Sequence, residues 1–207
     1  LVSMWEQRYK VIKAANFIIN NAERTPDVSA EDIKQALAQA HYWRAYSYFY
    51  LVTTWGQVPV MLEEEIDYNA PLKSVEEVYE LILSDLKIAE EGCPVMYSSE
   101  PYVRQGAVKA TMAYVYLCMA GWPLNKGAEY YDLAAQKAEE VIDGAENGTY
   151  YYKLLDQYSQ VYSMAYNDNN PEVLLGIYYN RDRTAQMIPL TDFLLDMKQG
   201  GWGDTNG

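Results

Sequence analysis

The sequence predicts an all-α protein built of helical hairpins, with a loop-rich C-terminal part and little or no strand. Three observations carry this. The run from Ala38 to Leu62 places Tyr42, Tyr46, Phe49 and Tyr50 at i, i+4, i+7 and i+8, one face of a helix. Four further segments repeat helical spacing between Gly, Pro and Asn stops. Only Glu172 to Tyr179 reads as a strand or an extended buried piece.

The elements follow in order. Val2, Trp5, Tyr9, Ile12, Ala15, Phe17 and Ile19 predict a first helix through about Asn20. Asn20-Asn21 and Thr25-Pro26-Asp27 make the turn. Ser29 then caps a helix extended backwards by Ile33 and Leu37, with Asp32 placed to complete a capping box. Gly56 ends it and Pro59 keeps it from resuming. This helix is about 26 residues, or roughly 39 Å, long. It packs antiparallel to the first as a hairpin.

Ser74-Val75-Glu76-Glu77 is a capping box opening a third helix. Val75, Val78, Tyr79, Ile82, Leu86 and Ala89 face inward, and Gly92 and Pro94 end it. Val103 to Ala120 is the most apolar helix and is expected to be buried nearly all round, with Gly121 and Pro123 as its stop. A fifth helix spans about Ala128 to Asp143, closed by Gly144. Tyr150 to Leu155 reads as extended and Gln157 to Met164 as a short helix. Asn167 to Pro171 is a turn, and a helical turn is expected at Asp192–Met197. The layout is three helical hairpins and then irregular structure. Small residues beside aromatics suggest tetratricopeptide-like repeats, irregular because their spacing departs from a fixed period of about 34 residues. The chain is expected to be a single domain fragment lacking both ends, with a helical-repeat scaffold over 1–145 and a loop-rich part over 146–207.

Half of the 207 residues are hydrophobic, enough for a sizeable core. Against 16 basic residues stand 29 acidic ones, a formal charge of −13, which repels phosphate backbones and anionic lipid. Nucleic acid is therefore excluded as a partner. No stretch of about 20 apolar residues is long enough to span a bilayer. Cys93 and Cys118 are expected to be free thiols.

Catalytic signatures are absent. The sole histidine, His41, lies in the aromatic helix and reads as a surface or packing residue. One His and two separated Cys make no zinc site, and no phosphate-cradling glycine motif occurs. Glu63-Glu64-Glu65-Ile66-Asp67 lacks EF-hand spacing and reads as a solvated acidic loop. No catalytic residue, metal or cofactor is assigned.

Tyrosine is the outlier: 21 Tyr against 3 Phe, with 5 Trp. Tyr and Trp join a flat apolar face to a hydrogen-bonding tip, the counterpart of a sugar ring with its C–H face and hydroxyl edge. Tyrosines at helix positions (Tyr42, Tyr46, Tyr48, Tyr79, Tyr114, Tyr116) are assigned to packing. Aromatics in loops are the ligand candidates: Trp202 first, between glycines, then Tyr102, Tyr97, Tyr68 and Trp122. Asp204, Asn206, Asp182 and Arg183 could add hydrogen bonds to hydroxyls.

The run Ala40, Arg44, Ala45, Tyr48, Phe49, Leu51, then Trp55, Gly56, Val58, Pro59 and Val60 resembles the SusD/RagB family of glycan-binding outer-membrane lipoproteins. The resemblance continues through Tyr79-x5-Asp85-Leu86-x2-Ala89, Val103 to Trp122, Tyr131-x2-Ala134 to Ile142, Tyr152-x-Leu154, Asn170-Pro171-Glu172-Val173 and Gly200-Gly201-Trp202-Gly203. Arg104-Gln105-Gly106 departs from the family's Gly-Arg-x-Thr. The resemblance implies a surface-exposed lipoprotein of a Gram-negative outer membrane. It would hold a glycan or oligosaccharide and cap a TonB-dependent transporter, with no catalysis. Its membrane attachment would be a lipid anchor outside this chain. The alternatives are a tetratricopeptide-like scaffold for protein partners and a helical carbohydrate-active enzyme.

Overall fold

A computed structural model describes residues 2–65, 67–96, 102–163 and 170–176. Five α-helices lie among them: α1 (Val2–Asn21), α2 (Ala30–Trp55), α3 (Val75–Gly92), α4 (Gln105–Ala120) and α5 (Ala128–Glu146). Two strands of two residues, β1 (Val58–Pro59) and β2 (Leu72–Lys73), pair antiparallel with Val58 opposite Lys73. Both serine caps form where the sequence implies, but the box at Ser29 is not reciprocal: the Asp32 carboxylate accepts from the Ser29 hydroxyl instead of its amide. The Ser29 hydroxyl accepts from the Asp32 amide, and Ser74 and Glu77 complete a reciprocal capping box. Gly56 ends α2 at φ +76°, a conformation that favours glycine.

Each helix packs on the next in sequence. Trp5 meets Trp55 and Tyr9 meets Tyr48, so α1 and α2 run antiparallel. Phe49 meets Tyr79 while His41 meets Asp85, so α2 and α3 run antiparallel as well. Two complete hairpins result, and α5 is followed only by a 3-10 turn, Tyr158–Tyr162, among the described residues. Among the described residues no further α-helix pairs with α5 to make the third hairpin. Residues to Leu175 form one compact unit.

The core sits between α2, α3 and α4, with Tyr42, Tyr48, Leu51, Ile82, Leu86, Val108, Met112 and Val115 fully buried. At the close α2–α3 crossing a Cβ on Gly92 would stand 2.7 Å from the Ala38 Cβ. Glu90, Lys109, Lys137 and Glu140 bracket α3, α4 and α5: Lys109 lies 2.6 Å from Glu140 and 3.6 Å from Glu90, and Lys137 lies 2.7 Å from Glu90 and 3.1 Å from Glu140. Burial alone would lower both lysines, but hydrogen bonds to these carboxylates hold them raised.

Several expectations are corrected. Helix α4 is not buried all round: Tyr114 is 58% exposed and Leu117 is also open, although Tyr114 sets its edge on Phe49. Helices α3 and α5 supply most of the packing on α4, with α2 reaching it at Thr111 through Tyr42, and the stripe at Tyr114 and Leu117 stays open. In α1, Val2 and Phe17 are exposed, and the inward face is Tyr9, Ile12, Ala15 and Asn16. Gly144 does not close α5, which continues to Glu146. Residues 172–176 form no strand. The Asn170 side chain accepts from the Glu172 amide and its carbonyl from the Val173 amide, so a turn uses the groups a ladder would need. The rest of that segment, and the helical turn at 192–197, lie outside the described residues.

Candidate ligand-binding surface

The end of the bundle where α3 finishes and α4 begins is tied by a few polar side chains. Gln39 acts on Val103 like a neighbouring strand: its Nε2 donates to the Val103 carbonyl and its Oε1 accepts from the Val103 amide, both at 2.8 Å. The Gln105 amide donates to the Pro94 carbonyl at 3.0 Å, and its side chain donates to the Glu90 carbonyl. Cys93 is buried here, and burial pushes its thiol up to about 12.

The chain returns to this end after α5. Gly148, at φ +79°, reverses it, and the Tyr150 amide donates to the Gly144 carbonyl. Residues 150–152 are extended, so their side chains alternate. The Tyr150 ring lies against Gly144 of α5, where an added Cβ would stand 2.3 Å away. Tyr152 likewise covers Gly106 of α4, at 2.5 Å. The Tyr150 hydroxyl donates to Gln105 Oε1 at 2.8 Å. Tyr151, between them, faces outward and is 50% exposed.

This packing leaves an open groove of about 420 Å³ lined by Met96, Gly148, Thr149, Tyr150, Tyr151 and Lys153. Its size falls within the range of small-molecule sites. It offers apolar and ring surface, a hydroxyl and an ammonium, and no carboxylate.

The predicted ligand aromatics separate. Tyr102 is 44% exposed in the α3–α4 connection, at the groove's end of the bundle. Trp122 is 85% exposed in the α4–α5 connection, about 24 Å away along α4 at 1.5 Å per residue. Tyr68, 90% exposed, lies in the loop between β1 and β2. One short ligand therefore does not touch Tyr102 and Trp122 together. Tyr97 and Trp202 lie outside the described residues, as do Asp182, Arg183, Asp204 and Asn206. Thr149, Tyr151 and Met96 escaped the sequence reading. The signal was the Gly148-Thr149-Tyr150-Tyr151-Tyr152 run, where period two makes the middle tyrosine face out.

A second polar constellation lies inside the bundle. Asp85, on α3, accepts from Arg44 Nε at 2.8 Å and Nη2 at 2.7 Å, and its Oδ1 is 2.6 Å from His41 Nδ1. Arg44 Nη1 donates to Asn16 Oδ1 at 3.0 Å. All four side chains are buried, and among the described residues no buried side-chain nitrogen or oxygen lacks a partner. His41 is therefore a satisfied packing residue. This is a buried, internally satisfied ion pair that ties α1, α2 and α3 together.

Residues 1–117 match the family described as starch-binding, associating with outer membrane. The chain belongs to the SusD/RagB family. This SusD-like chain is 30% identical over 190 residues to a SusD-like protein of Bacteroides ovatus, covering 86% of this chain and 33% of that one. It is 28% identical to a protein whose crystal structure is described with a xylogluco-oligosaccharide, with a TM-score of 0.71 over 83% of this chain and 34% of that one. A laminarin-binding SusD-like protein is 27% identical, with a TM-score of 0.67 over 84% and 36%. The solved relatives share the helical, tetratricopeptide-like fold. The chain spans about a third of the length of the Bacteroides ovatus relative. Among the described residues, no helix is long and apolar enough to cross a membrane.

Proposed function

We propose that this chain is the helical scaffold of a surface lipoprotein that binds a glycan or oligosaccharide without catalysis and passes it to a TonB-dependent outer-membrane transporter. Membrane attachment is by a lipid anchor outside this chain. The 1–145 helical part serves mainly as frame and docking surface, and ligand contacts come from its loops and from the 146–207 part. The observation that carries the reading is the outward ring of Tyr151 beside the groove, at the Tyr102 end of the bundle. A ring held between two anchored tyrosines is preorganised for stacking on a sugar face, so little side-chain entropy is lost on binding. Support comes from relatives described with a xylogluco-oligosaccharide and as laminarin-binding. Trp202 and Tyr97 are proposed as saccharide contacts in their own right, and Tyr68 and Trp122 as separate contacts for a longer chain.

The test is calorimetry on the full-length protein with xylogluco- and laminari-oligosaccharides, and a glycan array for other sugars. Tyr151→Ala and Tyr102→Ala should each weaken binding about tenfold, the loss of roughly 1.4 kcal/mol of ring contact. Trp202→Ala in the same assay decides whether that ring belongs. Unchanged affinity in Tyr151→Ala and Tyr102→Ala would remove the groove from the site. Release of reducing ends would replace the reading by an enzyme.

The second reading, a scaffold for protein partners, draws on the open α4 stripe at Tyr114 and Leu117. Co-purification of protein partners with no saturable sugar binding would favour it.

A further inference from the structure

The segment that leaves β1 has an unusual set of partners. Residues 60–64 run beside α1, bending from Glu63, and no strand pairs with them among the described residues. Side chains of the helices take the place of a strand. The Tyr9 hydroxyl donates to the Pro59 carbonyl at 2.7 Å. The Tyr48 hydroxyl accepts from the Met61 amide at 2.7 Å and donates to the Met61 carbonyl at 3.0 Å. Asn16 Nδ2 donates to the carbonyls of Met61 and Glu63, both at 2.9 Å. Asn20 reaches the Leu62 carbonyl at 3.4 Å, and Asn21 donates to the Glu64 carboxylate at 2.6 Å. Burial, opposed by the Met61 contact, pushes the Tyr48 phenol up to about 12, so it stays protonated and able to donate.

Asn16 is the centre of this set. It is completely buried, and both its amide hydrogens and its amide oxygen are engaged. Its orientation is forced. Arg44 can only donate and the two carbonyls can only accept, so the amide oxygen must face Arg44 and the NH₂ must face the strap. Arg44 cannot rotate, because two of its nitrogens are held by Asp85, and Asp85 is also held by His41.

We infer that Asn16 is a positioning residue, aligned from α3 through Asp85 and Arg44, that latches residues 59–64 to the helices and so sets where the loop bearing Tyr68 is presented. The strap is held by β1–β2 pairing at Val58–Pro59, by the Tyr9 and Tyr48 hydroxyls at Pro59 and Met61, by Asn20 and Asn21 at Leu62 and Glu64, and by the Asn16 amide at Met61 and Glu63. With Asn16 removed, Met61 keeps its Tyr48 contacts, but beyond it the strap is left with the Asn20 and Asn21 contacts nearer the surface. Val60 and Met61 pack partly against the core and Leu62 is exposed, so loosening beyond Met61 leaves the helices their apolar contacts. The consequence for ligand rests on Tyr68 being a saccharide contact, but the latch itself does not.

Hydrogen exchange of the full-length protein separates the two. In Asn16→Ala, amides of residues 62–70 should exchange at least tenfold faster while those of α2, α3 and α4 keep their protection. Asp85→Asn should speed the same amides less, since Arg44 remains present but less firmly held. Tyr48→Phe, which deletes one oxygen and leaves the ring, is the variant to read if Asn16→Ala does not fold, and should free the Met61 amide selectively. Asn16→Gln, which retains both donor and acceptor, should restore part of the protection. Unchanged exchange at 62–70, or an equal rise through all helices, would overturn the latch. If the loop loosens but glycan affinity is unchanged in both Asn16→Ala and Tyr68→Ala, the latch stands and the saccharide role of Tyr68 falls.

Discussion

Gly144→Ala sets two physical effects against each other at one atom. Alanine is the better helix former, so the exchange should stabilise α5 by about 0.5–1 kcal/mol. The added Cβ, however, would stand 2.3 and 2.4 Å from two carbons of the Tyr150 ring. That ring cannot simply swing aside. It is buried, and its hydroxyl is held by Gln105. Overpacking of this kind costs about 1–3 kcal/mol. The clash should therefore win, with a net destabilisation of about 1 kcal/mol or somewhat more. The decisive step is to repeat the substitution in a Tyr150→Ala background. Tyr150→Ala alone should cost about 3 kcal/mol for the lost ring. With the ring gone the clash vanishes and only helix propensity remains, so Gly144→Ala should now stabilise. Urea denaturation reads both through the transition midpoint at constant slope. A loss of equal size in both backgrounds, or a gain in the wild type, would refute the account. Tyr150 lines the groove, so the single variant should also weaken any ligand bound there.

Two further outcomes follow from the charges. Asp85→Ala leaves the Arg44 guanidinium buried without its carboxylate and should cost about 3–5 kcal/mol, whereas Arg44→Met with Asp85→Leu should recover most of that; a double-mutant cycle by denaturation checks it, and equal losses in the single and double variants would contradict it. Hydrogen bonds from Lys73 and Ser74 hold Glu77 down to about 2, against an ordinary value of 4.5. Because its folded value lies below its unfolded one, the stabilisation is complete above pH 4.5 and is lost as pH falls towards 2. Glu77→Gln should flatten that part of the melting-temperature profile between pH 5 and 2 and leave the remainder of the acid slope; a profile parallel to the wild type would deny Glu77 this role.

Much of the fold was legible because the signals are local. Ser29, Ser74 and Glu77 satisfy orphan amides within one helical turn, so their caps depend on nothing distant. Tyr42, Phe49, Ile82 and Leu86 are buried because their spacing leaves them no other face. The family resemblance drew on the same residues. The polar interior was harder to read. Arg44 and Asp85 stand in apolar stripes 41 positions apart, and nothing local says that they meet as a bidentate pair or that Asn16 completes the chain. Gly144 looked like a stop because glycine often ends helices, but here its missing Cβ makes room for Tyr150.

What the chain's own pattern determined is therefore the list of helices, their caps and a surplus of amphipathic rings, since period and capping act over a few residues. The tertiary structure alone decided which rings face out. Tyr150 and Tyr152 settle on glycines of two different helices and leave Tyr151 exposed between them, while α4 separates Trp122 from Tyr102. Such outcomes depend on which helix faces lie together across the bundle, a relation between residues far apart in the chain that no short window of sequence contains.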